Sequence, residues 1–246
     1  MTAWSALFKK DFQLTRTVFF IGLVMNFLVL LLTLYVDMST GDNLYLFIPL
    51  LAAIVLHIFY LPVILLISLR TEADKLHLWL HSQRSAPTLL LSKVLNGMVM
   101  MAVSLIILYL MAGLLITTRF HLIEAYWTDT LKAALLIFPH LFIISMMISA
   151  FVILLWSIHH ALKYRIGHWT WLALLGAVIL PSWVGALIDS SKPYKLLTQW
   201  VDLEMNFPTF SIDPIPAYAG EYLYHFIVII GLFYLSAWVI DRKVEV

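Results

Sequence analysis

Polar residues are so sparse along this chain that it divides into six continuously apolar runs: Val18 to Val36, Leu44 to Leu69, Val94 to Thr118, Leu131 to Ile158, Trp169 to Ile188 and Tyr222 to Ile240. Each approaches or exceeds the roughly 20 residues that a helix needs to cross about 30 Å of hydrocarbon. None alternates apolar and polar with period two, so each reads as a helix that satisfies its own backbone in lipid, not as a barrel strand. The pattern predicts an all-α integral membrane protein with six transmembrane helices in a single transmembrane domain, residues 1–246.

Three stretches outside these runs have a pattern of their own. Residues 1–17 wind with Trp4, Leu7, Phe8, Phe12 and Leu14 on one side and Lys9, Lys10, Gln13 and Arg16 on the other, which predicts an amphipathic interfacial helix ahead of the first span. Asp11 falls on the apolar side, where it needs a basic partner or water. Residues 70–93 form a charged, histidine-bearing island between spans two and three. A helix is expected from Thr71, with Thr71 and Asp74 at capping-box spacing, presenting Ala73, Leu76, Trp79 and Leu80 on one side and Asp74, His77 and His81 on the other. Ser82 to Ala86 break that pattern, and Pro87 can open the next helix. In the connection over 189–220, the stretch from Tyr194 to Met205 reads as a further interfacial helix, acting either as a lid or as a loop packed on the spans.

Composition agrees with a membrane protein: 63% of residues are hydrophobic and 12% charged, against about 25% charged in soluble domains. Charge then sides the chain. With the N-terminus inside, only Arg119, Lys132, Lys192 and Lys195 of the 15 Lys and Arg residues fall in external segments. That bias makes both termini and the 70–93 island cytoplasmic. The basic residues before the first span precede an apolar run too long for a signal-peptide core, so this span is expected to remain as an anchor. The absence of cysteine rules out disulfide or thiolate chemistry within the chain.

Candidate chemistry is thin. Asn26, His57 and His140 are polar positions within spans, readable as a polar path or as groups that hydrogen-bond a neighbouring helix. Asp74, His77 and His81 have a spacing that suits a metal, but Leu78, Trp79 and Leu80 lie between the histidines where a metalloprotease has its glutamate. A polar contact face is the better reading. The chain contains no G-x-x-x-x-G-K-[ST] phosphate loop, H-E-x-x-H or G-x-S-x-G. It is therefore not expected to be an enzyme by itself, and a net charge of +1 gives no sign of nucleic-acid binding.

With its LFKKDFQLTRT approach to span one, its leucine-rich LHLWLHS stretch after Glu72 and its LLLSK run into span three, the chain resembles the membrane subunits of type-2 ABC exporters, the ABC-2 permease family. The family has a proline soon after the serine matching Ser82, whereas here Gln83 and Arg84 follow and Pro87 comes later. The resemblance implies a permease of a bacterial cytoplasmic membrane with a cytoplasmic coupling helix between spans two and three. Glu72, Asp74, Leu76, His77, Trp79, Leu80, His81 and Arg84 would contact a separate nucleotide-binding ATPase subunit. That partner would bind ATP and Mg, and this chain would hold no cofactor. A second permease subunit, identical or homologous, would complete the path. The aromatic, weakly charged spans point to an amphipathic, peptide-like or lipid-like cargo. The alternatives are a stand-alone channel or carrier using Asn26, His57 and His140, and an intramembrane metal-dependent hydrolase using His77 and His81.

Overall fold

Apolar runs of this length become long helices in the computed structural model, which describes residues 3–40, 47–73, 84–118, 127–201, 203, 205–207 and 212–244. Helix α1 spans Ala3–Thr40, α2 Phe47–Leu56, α3 Tyr60–Ala73, α4 Ala86–Thr118, α5 Trp127–Ile166, α6 Thr170–Asp189, α7 Lys192–Thr198 and α8 Ala219–Lys243. Among the described residues, five stretches are long and apolar enough to cross a membrane: Trp4–Ser39, Ile48–Ala73, Ala86–Leu115, Trp127–Asp189 and Ala219–Lys243. They make the chain a multi-pass membrane protein.

The N-terminal amphipathic stretch and the first apolar run form one unbroken helix, α1. At 1.5 Å per residue its 38 residues extend about 57 Å, well beyond one hydrocarbon core. Where hydropathy reads two runs, Leu131–Ile158 and Trp169–Ile188, the chain has a single 63-residue apolar stretch. Helix α5 continues through the short basic segment as far as Ile166, and a 3-10 turn at Gly167–Trp169 joins it directly to α6. Gly167 takes a positive φ of 55° there, a conformation that glycine adopts without steric cost.

Contacts group the chain into two units, Met1–Asp74 with Leu91–Ser145, and Lys75–Leu90 with Met146–Val246. In the first, Leu50 and Ala53 of α2 and Leu108, Ala112 and Leu115 of α4 form a buried cluster against Val29 and Leu30 of α1. A kink separates α2 from α3. Pro62 has no N–H to offer Ile58, and the helix tightens into a 3-10 turn over His57–Phe59 one turn earlier. Pro49 sits harmlessly in the first turn of α2. Close approach of α4 to α3 depends on Gly97, where an added Cβ would stand 2.5 Å from Leu61 Cδ1. Small residues of this kind let membrane helices pack backbone to side chain.

In the second unit, Ala150, Ile153, Leu154 and Ser157 of α5 and Ile229, Ser236, Ala237 and Ile240 of α8 are buried, whereas α6 buries only Thr170. The expected long helix over Tyr194–Met205 is not formed. Helix α7 starts at a Ser191 cap that accepts from Tyr194 N and ends at Thr198. Val201 then adopts φ 51°, and Leu203 N donates to Ala217 O while Ala219 N donates to Val201 O. Those cross-chain bonds replace the helical ladder and lead into an antiparallel hairpin, β1 Met205–Phe207 with β2 Ile212–Ile215. Among the described residues, this hairpin departs from an all-helical chain. Gly220 brings the start of α8 onto this turn, since a Cβ there would collide with Thr198 O and the Trp200 indole nitrogen.

Candidate functional site: a buried ion cluster beside the polar island

The expected helix start at Thr71 is overturned. Helix α3 runs without interruption through Ala73, and the Thr71 hydroxyl donates back to Ile67 O at 2.8 Å instead of capping a new helix. Of the proposed coupling residues, Asp74, Leu76, His77, Trp79, Leu80 and His81 lie outside the described residues; Glu72 and Arg84 lie within them. Helix α4 begins at Ala86 with Pro87 in its first turn and the Thr88 and Leu89 amides donating to Ser85 O.

The residues bordering the island meet in a cluster that helix periodicity assembles from three elements. Four-residue spacing puts Asp11 and Thr15 on one row of α1 and Ser68 and Glu72 on one row of α3. From α4 come Ser92, Lys93 and Asn96. Lys93 is 2% exposed and Asp11 1%. The Lys93 ammonium stands 3.0 Å from Asp11 Oδ1, 2.9 Å from Ser68 Oγ and 2.8 Å from Glu72 Oε2. The ammonium therefore donates to Asp11 Oδ1 and Ser68 Oγ and forms an ion pair with Glu72, whose Oε2 accepts no hydrogen bond.

The other oxygen of each carboxylate is also engaged. Ser92 Oγ donates to Asp11 Oδ2 at 2.6 Å, and Lys10 Nζ, on a side chain that is 48% exposed, reaches Glu72 Oε1 at 2.5 Å. Thr15 Oγ1 donates to Asp11 O, with Met100 Sδ at 3.4 Å, and Asn96 Nδ2 donates to Thr15 Oγ1. Two carboxylates and two ammoniums balance, so no uncompensated charge is buried. The basic partner that Asp11 requires is Lys93.

Deeper in the same unit, Asn26 and His57 are brought together by Ser104. His57 Nδ1 lies 2.8 Å from Ala53 O, and a carbonyl only accepts, so the proton belongs on Nδ1. Nε2 then accepts from Ser104 Oγ at 3.2 Å, and Ser104 Oγ accepts from Asn26 Nδ2 at 3.0 Å. The histidine is thus hydrogen-bonded at both nitrogens, and it stacks on Tyr60 with centroids 5.5 Å apart. His140 Nδ1 donates to Leu136 O within α5. Among the described residues no group of three His, Asp or Glu side chains is placed to hold a metal ion.

Ser68, Ser92 and Ser104 carry no sequence signal that marks them as functional. Lys93 reads only as one of several inside charges. Its signal is positional: it is a lysine at the start of an apolar run, on the opposite side of the island from a glutamate. No protein family, curated protein or solved structure matches the chain.

Proposed function

We propose that this chain is the membrane-spanning permease subunit of an ATP-binding-cassette exporter of the ABC-2 type, with residues 70–93 as its coupling element. The observation that carries this reading is the 2.8 Å approach of Glu72 to Lys93, the residues that border the island, in a buried cluster that also holds Asp11 of α1. A coupling segment has to pass displacement from a cytosolic motor into the membrane helices. Here the island's two borders are joined to each other by a buried ion pair and to α1 by a charge-assisted hydrogen bond, a connection stiffer than apolar packing alone.

The 63-residue stretch supports six crossings. Its length corresponds to about 95 Å of helix, more than twice the hydrocarbon thickness, and its break at Gly167 coincides with the basic turn that the charge rule assigns to the cytoplasm. Both termini are then cytoplasmic. ATP and Mg belong to the partner ATPase, and a second permease subunit pairs with this one in a bacterial cytoplasmic membrane. The cargo is amphipathic, peptide-like or lipid-like. A stand-alone channel gains little support from His57, whose two ring nitrogens are bonded to Ala53 and Ser104, or from Asn26, whose Nδ2 is bonded to Ser104.

Reconstitution tests the proposal. Proteoliposomes holding this chain and a co-purified Walker-motif ATPase are expected to move an amphipathic cargo only with ATP. Flux through the chain alone, without ATP, would refute it in favour of a channel or carrier.

A further inference from the structure

Seven consecutive residues, Lys163 to Trp169, are exposed at the turn between α5 and α6. Two are permanent cations, Lys163 and Arg165, and His168 follows them. Large aromatic rings accompany them: Tyr164 is 77% exposed, Trp169 71% and, one residue into α6, Trp171 68%. Lys163 Nζ stands 5.4 Å from the Tyr164 ring centroid, so the first cation is held against the first ring. The turn has a defined shape, fixed by the positive φ of Gly167 and by buried Thr170, whose hydroxyl donates to Gly167 O at 2.7 Å. Between Asp129 and Asp189 the sequence has no Asp or Glu.

We propose that this turn is a binding site for a phospholipid with an anionic headgroup, its phosphate met by Lys163 and Arg165 and its interfacial region covered by Tyr164, Trp169 and Trp171. Cations alone would suit any soluble anion. Exposed tyrosine and tryptophan rings at the same level suit the boundary between headgroup and acyl chain, where amphipathic rings settle. Each Lys or Arg near an anionic membrane surface favours binding by about fivefold, so the pair favours an anionic over a zwitterionic lipid by roughly twenty-five-fold. The site rests on the membrane reading and on the inside position of the turn, and is independent of the exporter reading.

The test is native mass spectrometry of the full chain, purified in mild detergent and titrated with phosphatidylglycerol or phosphatidylcholine. One tightly held phosphatidylglycerol is expected, with phosphatidylcholine binding roughly twenty-five-fold weaker. The K163Q/R165Q variant should lose that preference while keeping its helical circular dichroism, and K192Q/K195Q, on the other side of the chain, should retain it. Equal binding of the two lipids, or an unchanged preference in K163Q/R165Q, would overturn the proposal. So would displacement of the lipid by millimolar glycerol phosphate, which would make the turn a soluble-anion site. Should K163Q/R165Q fail to fold, W169A/W171A replaces it; both cations then remain, and loss of tight lipid binding supports the proposal while full retention refutes it.

Discussion

Replacing Lys93 by methionine removes one ammonium and little volume, so packing changes minimally while Asp11 loses its cation and keeps only Ser92, Ser68 loses its donor and Glu72 keeps only Lys10. Breaking a buried ion pair from one side costs about 3–5 kcal/mol, because the charge left behind is desolvated and unpaired. For a chain of this size each kcal/mol shifts the melting midpoint by about 2–4 °C, so K93M should melt roughly 6–20 °C below the wild type. Tryptophan fluorescence during a thermal scan in detergent reads this directly. The double-mutant cycle with D11N separates charge from general damage. D11N/K93M should lose less stability than the two single variants added together, with a coupling of about 0.5–3 kcal/mol. Lysine's compact ammonium donates in three directions and arginine's planar fork does not, so K93R should remain below the wild type. A K93M midpoint within a degree of wild type, or a coupling near zero, would show that the cluster does not hold α1, α3 and α4 together.

Other predictions concern neighbouring features. K10A should lose less than about 1 kcal/mol in the same scan, because its pair with Glu72 is half open to water and exposed pairs contribute little. S104A leaves His57 Nε2 without its hydroxyl partner, while Asn26 Nδ2 keeps Ser104 O, and should destabilise by about 1–3 kcal/mol. G220A forces the start of α8 away from Thr198 O, and limited proteolysis should cut the 199–217 connection markedly faster than in the wild type. G167A places a side chain in the left-handed region at a cost of about 1–2 kcal/mol, visible as a lowered midpoint.

Hydrophobic runs made the long helices legible, because crossing a bilayer constrains length and composition over about 20 residues at a time. Asp11 was equally legible as a misfit: a carboxylate on the apolar side of an amphipathic helix requires compensation, and Lys93 provides it. Which cation would do so was not readable, since 82 residues separate the partners and sequence periodicity reports only neighbours within a helix. Thr71 misled for the opposite reason. Its capping-box spacing is a local pattern, and α3 overrides it by continuing on its own hydrogen-bond ladder. The Tyr194–Met205 stretch failed likewise, its apolar period outweighed by backbone bonds from Leu203 and Ala219 to distant parts of the connection. Asn26 and His57 were recognised as polar positions, yet the serine joining them was invisible because serine is common in membrane helices and carries no period.

Affinity purification of the full chain from its native cells in mild detergent tests the exporter assignment most directly. A stoichiometric protein with a G-x-x-x-x-G-K-[ST] phosphate loop and ATPase activity is expected with the wild type and absent when Leu76, Trp79 and Leu80 are replaced by charged residues. A stable, helical particle that carries no such ATPase and conducts cargo without ATP would contradict the account.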